Sequence, residues 1–238
     1  MKAQVFPKSG TAIKIISTRG HKQWATSAFV LIFTASLLGG CSVLDKPQRA
    51  SMYDFGPGLQ STPSATPQAP LPALAIDDIG TPGGALENMT VLYRLAYNDE
   101  QQLRPYSLAR WSMPPAQLIR QRLREQLSQR RVVFNAGASA ALNRSQMAPL
   151  PLLLRIELLE FSHLFTAADT SFGLVRLRAT LVEVTPSGEK LVGQRNLIVQ
   201  RPAATGDAPG GVRALTAATD AAIEEIDQWL QKTQVQVR

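Results

Sequence analysis

Cysteine is nearly missing from this chain: one in 238 residues, at position 41. A disulfide framework and any multi-cysteine metal site are thereby excluded. Histidine is almost as scarce, with His21 and His163 only, and aromatics make up 6%. No second apolar run long enough to span a bilayer follows the first 40 residues. Nor is there a Gly-x-Ser-x-Gly, a Gly-x-x-x-x-Gly-Lys-Ser/Thr or a Gly-x-Gly-x-x-Gly, which leaves out nucleophile elbow, P-loop and dinucleotide fingerprint. An excess of charge is also smaller than it looks. Lys and Arg number 25 against 18 Asp and Glu, but Lys2, Lys8, Lys14, Arg19 and Lys22 sit before residue 40 with no acid; the remainder carries 20 basic and 18 acidic residues. The high isoelectric point therefore belongs to the leading segment and is no footprint of nucleic-acid binding.

That segment has the layout of an export signal. Residues 1–23 are basic, residues 24–40 are apolar and end in Gly39-Gly40. Leu38-Gly39-Gly40-Cys41 resembles the bacterial lipobox, an aliphatic residue three places before a cysteine with small residues between. The resemblance implies that the Cys41 thiol is diacylglycerylated, with palmitate among the acyl groups, and that the chain is cut before Cys41. Several acyl chains are physically needed, because one alone gives only marginal, reversible membrane binding. Ser42 follows where an aspartate would resemble an inner-membrane retention signal, so the expected location is the periplasmic face of the outer membrane.

Three regions are expected: a lipoprotein signal peptide over 1–40, a lipid-anchored segment with a Pro-rich linker or loop over 41–72, and a folded domain over 73–238. Residues 56–72 are uncharged and hold prolines at 57, 63, 67, 70 and 72, a composition that favours an extended spacer. Met52-Tyr53-Asp54-Phe55 before it could add an edge strand, which would make the same stretch a loop inside the fold. Both readings stay open.

The domain reads as α+β, a mainly antiparallel sheet with two helices packed on one face. Strands are expected at 74–79, 90–97 and 103–111. The first helix opens at Ser112-Met113-Pro114-Pro115, with Ser112 as cap, and buries Ala116, Ile119, Leu123 and Leu127. Leu152, Leu154, Ile156 and Leu158 alternate with Leu153, Arg155, Glu157 and Leu159, and Val175, Leu177, Ala179 and Leu181 do likewise. At Leu181 the alternation slips, which predicts a bulge or a second covered face. A turn at 186–189 leads to a hairpin strand over 190–200. Val212, Leu215, Ala222, Ile226 and Trp229 outline a final helix whose alanines allow a close approach to the sheet.

Chemistry-bearing residues are few. His163 is expected in a loop beyond a strand end, packed by aromatics. Strict alternation places Glu157 and Glu160 on opposite sheet faces and makes Arg155 the partner of Glu157. Asp77-Asp78 reads as a turn or a solvated edge. The most charged feature is the basic set Arg110, Arg120, Arg122, Arg124, Arg130 and Arg131 around the first helix. With Trp111, the residues Arg110, Arg120, Arg122 and Arg124 are the candidate surface for lipid headgroups or an acidic partner, set against ordinary ion pairs and, for Trp111, core packing. No catalytic residue, metal or cofactor is expected.

Several motifs in order resemble the ABC-type transport auxiliary lipoproteins, the outer-membrane partners of MCE-family lipid-transport systems that include the paraquat-inducible one. They are Tyr53-Asp54-Phe55-Gly56-Pro57, Arg110-Trp111-Ser112-Met113-Pro114-Pro115, Val175-Arg176-Leu177-Arg178-Ala179-Thr180-Leu181-Val182, Gln200-Arg201-Pro202-Ala203 and Gly210-Gly211-Val212. Ser112-Met113 departs from the small and acidic residues that many relatives carry there. The resemblance implies a non-enzymatic subunit that accompanies an ATPase, a permease and an MCE-domain protein. A lipoprotein regulator of a peptidoglycan synthase is the alternative; there the spacer would have to reach the wall, and 17 residues in polyproline geometry span at most about 53 Å. Pairing between copies through a sheet edge, at 53–55 or the last hairpin strand, is a further expectation.

Overall fold

A computed structural model describes residues 48–58, 70–137 and 150–236. The lipobox residues Leu38, Gly39 and Gly40 and the expected lipid attachment at Cys41 fall outside these residues. The compact unit runs from Arg49 to the C-terminus. Its elements are β1 (Ser51–Tyr53), β2 (Leu74–Ile76), a 3-10 turn (Gly84–Leu86), β3 (Thr90–Leu95), the single-turn α1 (Ala96–Asp99), β4 (Glu100–Trp111), α2 (Pro115–Leu127), β5 (Val133–Asn135), β6 (Leu152–Phe165), β7 (Ser171–Thr185), β8 (Gly188–Pro202) and α3 (Ala208–Gln236).

All eight strands join one α+β sheet. Its long members are antiparallel: β6 pairs with β7 along its whole length, and β7 with β8. Because β7 fills one edge of β6, the short strands must share the other. Strand β2 takes Leu152–Leu154, β3 takes His163–Phe165, and Gly80 bridges to Glu157 between them. Both of these strands run parallel to β6, so the sheet is mixed and forks: β3, β4 and β1 continue from one end, β5 from the other.

The alternation written into β6 and β7 survives as one buried face. Leu154, Ile156, Leu158 and Phe161 stand beside Leu181, Ala179, Leu177 and Val175. Helix α3 covers them with Leu215, Ala218, Ala222, Ile223, Ile226 and Leu230, while α2 adds Leu118, Ile119, Leu123 and Leu127 to the same core. Trp229 is only partly buried at its rim. The approach of α3 is close because Gly173 of β7 lacks a side chain: a Cβ there would lie 2.3 Å from the carbonyl carbon of Ala214. The slip at Leu181 is a register shift between Leu181 and Val182. Beyond it Val182 turns to the opposite face and packs with Ala75 and Leu153 in a small second cluster.

Several expectations are corrected. Strand β6 runs to Phe165, so His163 lies within it and not in a loop. A second register shift between Leu158 and Glu160 undoes strict alternation, so Glu157 and Glu160 oppose Arg178 and Arg176, which share a face. Glu157 pairs with Arg178 at 2.9 Å, and Arg155 turns instead to Asp77 and Glu189. Helix α2 has Pro114 at its N-cap with no side-chain bond, so Ser112 is not the cap; Pro115 occupies the first turn, where its missing N–H is harmless. The short segment ahead of the Pro-rich stretch does belong to the sheet, since β1 lies parallel to β4 with Tyr53 opposite Trp111. The Pro-rich stretch thus falls in the chain between β1 and β2, two strands of the same sheet.

Candidate functional site

The five residues that the sequence singles out lie around the junction of β4 and α2, but they do not form one surface. Trp111 is fully buried. Its ring meets Phe55 edge-on at 5.7 Å and Phe161 at 5.5 Å, which ties the segment after β1 and strand β6 to the end of β4. Arg122 points inward as well. It pairs with Asp220 of α3 at 3.1 Å and donates to the carbonyl oxygen of Phe55. Burial raises the Asp220 carboxyl above its ordinary range, and Arg122 opposes that shift. Arg131, likewise buried, is held by Asp227 and Gln234 of α3. Arg122 is therefore a strut between α2 and α3, and Arg131, past the end of α2, ties the segment before β5 to α3.

Arg120 and Arg124 are different. They converge on Asn135 Oδ1 at 3.1 and 2.7 Å, and Arg120 also pairs with Asp78 at 3.3 Å. Both line a groove of about 670 Å³ between α2 and the segment over 78–87, with Ile79, Leu86, Met113 and Ala116 as its apolar wall and Glu87 at its rim. A second groove of about 560 Å³ runs between residues 52–56 and α3, lined by Met52, Tyr53, Val212, Arg213, Thr216 and Asp220 among others. Arg110 stands on the sheet's other face, donating from Nη1 to the carbonyl oxygens of Tyr106 and Ala109, both at 2.8 Å.

One polar arrangement had no counterpart in the sequence reading. His163 is completely buried, with Nδ1 2.8 Å from Tyr106 Oη and Nε2 2.8 Å from Ser171 Oγ. Phe165 packs on its ring at 4.4 Å. Gly211 of α3 comes so near that a Cβ would sit 2.4 Å from His163 Nδ1. Burial pushes the imidazole down to about 4, with Asp207 opposing, and raises Tyr106, with Tyr93 and Asp207 adding to the rise. A neutral ring between two hydroxyls and closed over by a helix is a brace for the N-terminal end of α3. It offers no access for a substrate. Spacing could not have shown it, because β4, β6, β7 and α3 supply its parts from distant stretches of chain; only the aromatic run Phe161-Ser162-His163-Leu164-Phe165 hinted at burial.

Among the described residues no three His, Cys, Asp or Glu side chains converge as a metal site would require. None of their helices is long and apolar enough to cross a membrane.

Comparison with known proteins gives the arrangement a family. Two solved structures resemble it: protein XCC0632 from Xanthomonas campestris, of the DUF330 family, at 16% identity and TM-score 0.58, covering 72% of this chain and 91% of that one; and an uncharacterized protein at 14% identity and TM-score 0.52, covering 76% and 99%. At such identities the likeness is one of fold. No curated protein matches. Residues 53–227, from the last residue of β1 to deep within α3, match the family described as the ABC-type transport auxiliary lipoprotein component, and the chain belongs to that family.

Proposed function

We propose that the chain is a non-enzymatic subunit of an MCE-type ABC system that moves lipids or other hydrophobic molecules across the cell envelope, held at the periplasmic face of the outer membrane through acylated Cys41. The family match over residues 53–227 carries the reading, and the lipobox-like Leu38-Gly39-Gly40-Cys41 supports the anchor. Supporting it further, the polar groups buried in the domain are built into braces: Arg122 ties α2 to α3, Arg131 ties the segment after α2 to α3, and His163 fixes the start of α3. In this account the ATPase, permease and MCE-domain protein of the system do the chemical work and form the conduit. The chain supplies a rigid fixed point at the far membrane.

The alternative, a regulator of a peptidoglycan synthase, drew on a Pro-rich spacer reaching outward. With β1 in the sheet, that stretch begins and ends in the same domain and lends no such reach. The test is movement of a labelled phospholipid between inner- and outer-membrane fractions. Deleting this chain alone should slow it, the wild-type chain should restore it, and Cys41→Ala should not. Unchanged movement in the deletion strain would contradict the proposal.

A further inference from the structure

We propose that the outer face of the sheet at its β1–β4 edge rests on the phospholipid surface in which Cys41 is anchored. This depends on reading Cys41 as the acylated residue, and it adds which face of the domain meets the bilayer.

The argument starts from the tether. Since β1 is part of the sheet, the leash from the anchor ends at Ser51, ten residues after Cys41. Fully extended, ten residues reach at most about 35 Å. So short a leash keeps the domain beside the bilayer, and it enters the domain at β1.

That edge carries the side chains a headgroup layer would take. Tyr53 opposes Trp111, which faces the core, so its neighbour Arg110 points to the face that the helices leave bare, and Met52, at the free edge, stands between that face and the groove beside α3. Burial along β4 alternates through residues 108–111, placing Leu108 on the same outer face as Arg110. Met52 is 68% exposed, Leu108 44%, and Met89, whose carbonyl oxygen accepts from the Trp111 N–H at 2.7 Å, 46%. Neither Arg110 nor the exposed Arg49 has an ion pair among the described residues. Two flexible thioethers and a leucine beside arginines that have no carboxylate partner among the described residues suit an apolar layer roofed by anionic phosphates.

The size of the patch separates a lipid surface from a protein partner. Three exposed apolar side chains fall far short of the roughly 800 Å² per side that a stable protein interface buries. A weak surface contact suffices on a short leash, however, because tethering raises the effective concentration to the order of millimolar.

Cys41 being the only cysteine, an introduced one is the sole free thiol of the acylated protein. The test places an environment-sensitive dye at Met52→Cys, Leu108→Cys or Ile198→Cys, the last on β8 at the far side of the sheet, in acylated full-length chain. The protein is reconstituted in phosphatidylethanolamine–phosphatidylglycerol vesicles with a headgroup-proximal lipid quencher, and the Cys41 acyl mass is checked in the same sample. Quenching at 52 and 108 should exceed that at 198 by at least two-fold, and Leu108→Asp should bring the value at 52 down to the control. Equal quenching at all three positions with Cys41 acylated would overturn the proposal and leave the anchor standing. Absence of acyl mass at Cys41 would overturn both. A dye at 108 that already reports an apolar setting in the Cys41→Ala chain without vesicles would place a second copy on the patch and overturn the lipid assignment.

Discussion

Gly173 and His163 mark the two ends of what single residues contribute. At Gly173 the requirement is empty space. A methyl group would meet the α3 backbone at Ala214 and Leu215, neither of which is the end of a flexible side chain. Gly173→Ala should therefore cost about 3 kcal/mol through overpacking, read as a lowered urea midpoint with unchanged slope. At His163 the requirement is neutrality. Its folded pKa, about 4, lies below the ordinary value of 6.5, so the unfolded chain binds the proton first as pH falls. This residue's contribution is complete above pH 6.5, declines between 6.5 and 4, and amounts to about 3 kcal/mol across that window. Urea unfolding at pH 7 and pH 4.5 should show the decline, and His163→Gln should flatten it. The brace was illegible in the sequence for a physical reason: the bulge between Leu158 and Glu160 breaks the alternation just before it resumes at Phe161, His163 and Phe165, so the strand seems to stop short.

At the scale of elements, α2 and α3 are held to each other by charge as well as by apolar contact. Arg122 is 6% exposed and its carboxylate partner sits on α3, so removing Asp220 strands a cation in the core. Asp220→Ala should cost about 3 kcal/mol, while Arg122→Met with Asp220→Leu should recover most of it, because burying two apolar side chains avoids the desolvation of both ions. Chemical denaturation of the single and double variants checks this; a double variant as unstable as the single would contradict it. Trp111→Ala should cost about 4 kcal/mol by leaving a void between Phe55 and Phe161. The long strands and both major helices were legible, since Leu154 to Leu158, Val175 to Leu181 and the apolar face of α3 repeat strictly enough to show their period. The inward turn of Arg122 was not. A helical period separates faces, but it does not say which arginine finds an aspartate on a distant helix, and Ser112 was misread because the two prolines after it, not its hydroxyl, set the start of α2.

For the whole molecule, the decisive feature is where the chain joins the sheet. Composition alone left the Pro-rich run as spacer or loop; pairing of β1 with β4 places it between two strands of one sheet, and that sheet begins at Ser51, ten residues after Cys41. The proposed arrangement is a rigid domain fastened close to one membrane and engaging a transport machine that spans from the other. The most direct measurement of that claim is recovery of the acylated protein from crosslinked envelopes, with mass spectrometry of what accompanies it and a Cys41→Ala control. The account predicts an MCE-domain protein and its permease, reduced at least several-fold in the control. A peptidoglycan synthase recovered in their place, with no MCE-domain protein, would contradict it.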